Sequence, residues 1–161
     1  MKLILLAGEK EMWKTKLQEI VQEKNLYGEK INIGATESKI QLFIKAVKAE
    51  LNVDLPNEYV KVLEVINGLE FNGFILYGID QKLLDQEQNE GIYGLIEYNK
   101  IWYENEWQKQ YIFLGESSIS WYVYDLAQHK FCELDNPSGS EIEVFNNLDC
   151  MLEKLLSDAL E

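Results

Sequence analysis

Arginine is missing from this chain: its 15 basic residues are all lysine, set against 28 acidic residues for a formal charge of −13. The planar guanidinium fork is the usual tool for gripping phosphate and base edges, and a negative field repels a polyanion over a Debye length. No nucleic-acid partner is expected. The natural electrostatic complement of such a chain is a basic protein, although acidity also serves plain solubility. Cysteine is almost as scarce, with only Cys132 and Cys150, too few and too far apart for a disulfide framework. Long hydrophobic runs are lacking too. The five apolar residues 3–7 fall short of the ~7–15 of a signal peptide and are followed at once by Glu9, Lys10 and Glu11. Nothing approaches the ~18 apolar residues of a membrane helix. These absences predict a cytoplasmic protein with free thiols and no membrane partner.

What is present suits an ordinary globular fold. With 161 residues, 47% apolar and 27% charged, the chain matches one domain of common size, able to bury roughly 70% of its unfolded surface. The organising stretch is 50–80. Pro56 lacks an amide hydrogen and has φ preset for a first helical turn, and Tyr59, Val62, Leu63 and Ile66 then mark one helical face. Asn67-Gly68 predicts the stop, and 74–77, between Gly73 and Gly78, reads as a buried strand.

Elsewhere, Met12, Trp13, Leu17, Ile20 and Val21 predict a helix over 9–25, and 31–33 reads as a linker or a brief strand. Thr36 or Ser38 is placed to cap a helix whose buried face is Ile40, Phe43, Ile44, Val47 and Leu51. Residues 81–90 read as a surface loop with room for a helical turn, and 95–106 as an aromatic-rich helix. The runs 111–114, 121–124 and 131–134 are strands joined by short turns, 141–145 an edge strand, and 148–160 a closing helix. The pattern predicts an α+β fold: an antiparallel or mixed sheet of about four to six strands with helices packed on one side.

Leu55-Pro56, Tyr59, Leu63, Asn67-Gly68 and Tyr77-Gly78 together resemble the signature of the SMI1/KNR4 (SUKH) superfamily. Residues 35–40 with Glu50-Leu51 resemble that family's preceding helix, and 113–116 with 121–125 its strand, glycine, strand, aspartate segment. The likeness makes 1–161 one SMI1/KNR4-like domain in which 1–34, an N-terminal helix and connector, is weakly matched. It implies a binding protein without catalysis. Many bacterial members neutralise toxins of competing strains as immunity proteins and fungal members act as regulatory scaffolds, so the resemblance implies one of these two roles. The resemblance supplies no catalytic residues.

A search for chemistry finds little. His129 and Cys132 are half of a zinc pattern at best, since four ligands are normally required and Cys150 is the only other soft one. Gly68, Gly73 and Gly78 fit neither a dinucleotide fingerprint nor a phosphate loop. Neighbouring carboxylates such as Glu141 and Glu143 are expected by chance in so acidic a chain. No cofactor or metal is expected, and a small-molecule pocket between sheet and helices stays open as an alternative. For a basic protein partner, the candidate contacts are Tyr103, Glu104, Glu106 and Trp107, extended by Asp54, Glu58 and Glu70 beside the organising helix. Trp102 shares a helical face with Leu95 and Tyr98 and reads as core.

Overall fold

The computed structural model describes residues 12–84 and 91–161. The order is α1 (Met12–Leu26), α2 (Glu37–Leu51), α3 (Asn57–Val65), β1 (Leu69–Phe71), β2 (Phe74–Leu76), α4 (Leu95–Trp102), β3 (Tyr111–Glu116), β4 (Ser120–Asp125), β5 (Lys130–Asp135), β6 (Glu141–Phe145) and α5 (Leu148–Leu160). All six strands form one antiparallel sheet in chain order. The α+β architecture is therefore the expected one, with every strand pair antiparallel.

Local chemistry explains most boundaries. The Thr36 side chain accepts from the Lys39 amide and Asn147 from the Cys150 amide, so α2 and α5 begin on capping residues. Pro56 stands just before α3, at ψ 134°, and the first helical residue is Asn57. α3 ends one residue earlier than the Asn67-Gly68 pair suggests, because Ile66 is already extended and pairs with Ile33. Asn67 instead turns its side chain outward from the helix to accept the Ile79 amide at 2.8 Å. Two other expectations need correction. The helix predicted over 95–106 stops at Trp102, and a separate 3₁₀ segment, Glu106–Gln110, carries Trp107. β1 was not predicted: Asn72 and Gly73, at φ 52° and 81°, form the left-handed two-residue turn that pairs it with β2. On residues 9–11 and 85–90, parts of the predicted first helix and surface loop, the description does not extend.

The two faces of the sheet are dressed differently. Tyr122, Glu133 and Phe145 belong to the face under α5, where Lys154 reaches Glu133 at 2.5 Å. Behind α5 lies α1, joined by the Trp13 indole N–H donating to Asp149 at 3.0 Å. The register puts Phe113, Val123 and Cys132 on the opposite face, together with Trp121. That face is not bare, so the helices are not confined to the one side expected: Trp102 of α4 packs on Phe113 and Trp121.

α4 also repairs a defect in the sheet. β2 reaches only the far end of β3, through Ile75 opposite Glu116 and Leu76 opposite Gly115. The Phe113 backbone would be left unpaired on that side. Asn99, fully buried, stands in for the missing strand: its amide N–H₂ donates to the Phe113 carbonyl and its oxygen accepts the Phe113 N–H, both at 2.8 Å. The start of α4 is held from a distance. Asp80 accepts the Ile96 and Glu97 amides at 2.9 Å each, a cap that Gly94 at the N-cap position has no side chain to provide.

Candidate functional site

From this packing emerges a chain of aromatic rings along the α4 side of the sheet. Tyr93 meets Tyr98 edge-on with centroids 5.6 Å apart, and Tyr98 stacks on Tyr77 at 5.2 Å. The Trp102 indole N–H donates to the Tyr77 hydroxyl at 3.1 Å, and that hydroxyl donates to Glu116. Trp102 then lies 5.4 Å from Trp121, and Trp121 6.3 Å from Trp107. Tyr77 and Trp121 form the buried floor, while Tyr93, Tyr98 and Trp102 are half-buried and Trp107 is 43% exposed.

Trp107 is fixed in place, not loosely attached. Its six-membered ring lies where a side chain on Gly139 would have to go, with a Cβ there only 2.4 Å from the ring edge. Below it, Trp121 is 3% exposed and its indole N–H has no hydrogen-bond acceptor among the described residues.

Glu97, Glu104, Glu106 and Glu116 accompany the rings. Among the described residues, no ion pair engages Glu97, Glu104 or Glu116, whereas Glu106 is met by Lys109 at 2.9 Å and Lys100 is drawn away to Glu50 at 2.6 Å. The ridge thus combines packed aromatic area with three carboxylates, Glu97, Glu104 and Glu116, that have no ion-pair partner among the described residues, and a fourth, Glu106, that Lys109 meets. Burial and the Glu116 carboxylate hold the Tyr77 hydroxyl protonated far above the usual tyrosine range.

The seven predicted contact residues fall into separate places. Glu104, Glu106 and Trp107 are exposed together at the Trp107 end of the ridge. Tyr103 is half-buried, and its hydroxyl donates to the Tyr111 carbonyl at 2.5 Å, so it supports the segment more than it presents a free group. Glu58 lines a shallow cavity of about 280 Å³ with Trp13, Val62 and Asp149. Asp54, its side chain 88% exposed, sits 3.6 Å from Lys48. Glu70 folds into the β1–β2 turn, where it accepts the Gly73 amide at 3.0 Å. Among the described residues, none of these last three contacts the Trp107 group. Sequence reasoning missed Tyr93, Tyr98 and Glu116. The available signal was crude: three of the four tryptophans fall between positions 102 and 121.

His129 and Cys132 part company in three dimensions. The His129 Nδ1 lies 3.1 Å from the Tyr124 hydroxyl, and Tyr124 belongs to the α5 face. Cys132 is buried on the other face, opposite Val123. Burial pushes its thiol up to about 12, whereas Cys150 is exposed at the start of α5. Thiolate is the reactive form, so Ellman's reagent should titrate one thiol in the folded protein and two in denaturant. Two rapidly reacting thiols under native conditions would contradict this burial.

No helix among the described residues is long and apolar enough to cross a membrane. No curated protein matches the chain. Residues 34–154 match the sequence model of the SMI1 / KNR4 family (SUKH-1), beginning at the glycine whose missing side chain leaves room for the Glu64 carbonyl and ending within α5. The match takes in α2, α3, the whole sheet and the aromatic ridge. On this match and this architecture, the chain belongs to the SMI1 / KNR4 family (SUKH-1).

Proposed function

We propose that this protein is a cytoplasmic, non-catalytic binding module of the immunity type, which holds and neutralises a basic, nuclease-type bacterial toxin. Membership of the SMI1 / KNR4 family supports the immunity reading. The observation that carries the choice of surface is Trp107: a half-exposed ring seated on Trp121, in a segment with Glu104 and Glu106, within a chain of net charge −13. Large aromatic side chains in well-packed surroundings contribute disproportionately to protein interfaces. Carboxylates around them steer a cationic partner during encounter and add less to the lifetime of the complex. Neutralisation is then steric, through occupation of the toxin's basic surface.

The test separates these two contributions. Against a cognate toxin of this basic type, Glu104→Lys with Glu106→Lys should lower the association rate roughly tenfold at low salt and flatten its dependence on ionic strength. Trp107→Ala should act on dissociation, raising the off-rate about 30-fold, the equivalent of ~2 kcal/mol. Glu58→Lys, remote from the ridge, is the control for general charge. Stopped-flow association unaffected by salt or by the double reversal would reject the steering surface, and unchanged dissociation of the Trp107 variant would reject the anchor.

A further inference from the structure

At its other end the ridge offers a second, chemically distinct feature. Tyr98 is backed by Tyr77 on one ring face, at 5.2 Å and only 15° from parallel, and is walled by the Tyr93 ring at 60°. Glu116 is held beside them by the Tyr77 hydroxyl and stands opposite Trp121 in the β3–β4 ladder. Glu97 adjoins Tyr98 on α4. Among the described residues neither carboxylate has an ion-pair partner. Stacked aromatic rings with nearby unpaired carboxylates attract cations, and a planar guanidinium exploits both at once: it stacks on a ring while its edge donates to a carboxylate.

We propose that the Tyr77, Tyr93, Tyr98 and Glu116 corner receives an arginine side chain of the basic protein partner. This deepens the preceding reading and rests on it. The occupant is identified by complementarity of charge and shape. A second copy of this chain cannot supply it, because the sequence contains no arginine. Lysine is the weaker candidate: an ammonium is a compact, strongly hydrated point charge and gains less from a stacked ring. The field at the site agrees, since burial first and then the Glu97 and Glu116 charges raise the Tyr98 hydroxyl above its ordinary range. The two ends of the ridge would then divide the work, with the Trp107 end supplying apolar anchorage and the Tyr98 end reading the type of cation.

Blocked hexa-arginine and hexa-lysine peptides serve as probes, with the ¹⁵N-labelled full chain observed by NMR. The expected result is several-fold tighter binding of the arginine peptide, with shift changes at Tyr93, Tyr98 and Glu116. Tyr98→Leu should reduce arginine affinity to the lysine level, whereas Tyr98→Phe, which keeps the ring, should retain the preference. Glu116→Gln keeps an acceptor for the Tyr77 hydroxyl and removes the charge, so it tests the carboxylate even where the leucine variant folds poorly; it should weaken the arginine peptide by several-fold. Equal affinities for the two peptides, or no effect of Glu116→Gln, overturn the proposal. Shifts confined to Trp107 and its neighbours overturn it while leaving the acidic, aromatic surface standing. If neither peptide binds at low salt, both readings fall together.

Discussion

Replacing Asn99 by leucine should lower the melting temperature by about 10 °C, despite the near match in size. The side chain is fully buried and completes the strandless side of β3 by bonding both backbone groups of Phe113, while also donating to the Leu95 carbonyl. Leucine fills the space and satisfies neither group. An orphaned buried donor or acceptor costs on the order of 1–3 kcal/mol, so two imply a loss of ~2–6 kcal/mol. Asn99→Asp still accepts from the Phe113 N–H but sets a buried carboxylate oxygen against its carbonyl, so it should also be destabilised at neutral pH. Both variants should be measured by thermal and urea denaturation. A leucine variant as stable as the parent would mean that Phe113 finds other partners and that α4 is dispensable to the sheet.

Asp80→Ala should be the next most damaging change, at ~2–4 kcal/mol, because it uncaps α4 and strands the Ile96 and Glu97 amides. Its pH dependence is opposite to that of a surface carboxylate in an ion pair. Burial is the largest influence on Asp80 and raises its pKa, with the amide hydrogen bonds opposing. A raised folded pKa means that the fold favours the protonated form more than the unfolded chain does. The associated stabilisation is complete below the unfolded value of about 3.9 and is lost as pH rises through the folded value. Asp80→Asn cannot titrate. The stability advantage of the parent over this variant should therefore shrink as pH rises from about 4, and an advantage that grows instead would show that the amide bonds outweigh burial. Glu50 provides the contrast: hydrogen bonds from Lys100 and then Lys82 lower its pKa, so its small contribution is lost as pH falls through the folded value.

These two residues, and the ridge they position, decide how α4 sits on the sheet. Asn99 ties α4 to β3, and Asp80 ties its first turn to the segment after β2. Trp102, one turn beyond Tyr98 on the same helix, can then reach both Tyr77 and Trp121. Tyr59 adds a further tie, its buried hydroxyl donating to the Tyr77 carbonyl at 2.5 Å with the Leu114 carbonyl 3.2 Å away. The scaffold is thus fixed by buried polar side chains as well as by apolar packing, and the proposed binding surface inherits its rigidity.

The family signature turns out to describe that scaffold. Leu55, Tyr59, Leu63, Asn67 and Tyr77 are all at most 9% exposed. They say how the chain folds, and as buried residues they say little about its surface. Some missed detail was nevertheless legible. Asn72-Gly73 between apolar runs is a strong hairpin signal, and it would have revealed β1. The overlong reading of α4 had a different origin: no glycine or proline follows Trp102 to mark a stop, yet Asn105 bonds to Gln108 and turns the chain into a 3₁₀ segment.

The sequence by itself determined the α+β class, five of the six strand segments and the capping stretch of α2, because each of these follows from local spacing or from composition. Only the tertiary structure decided that Asn99 substitutes for a strand, that His129 and Cys132 face apart, and that Glu58 and Trp107 belong to different places. Those outcomes depend on which groups the register and the packing bring together, and a one-dimensional pattern records neither the register of a sheet nor what is left uncovered above it.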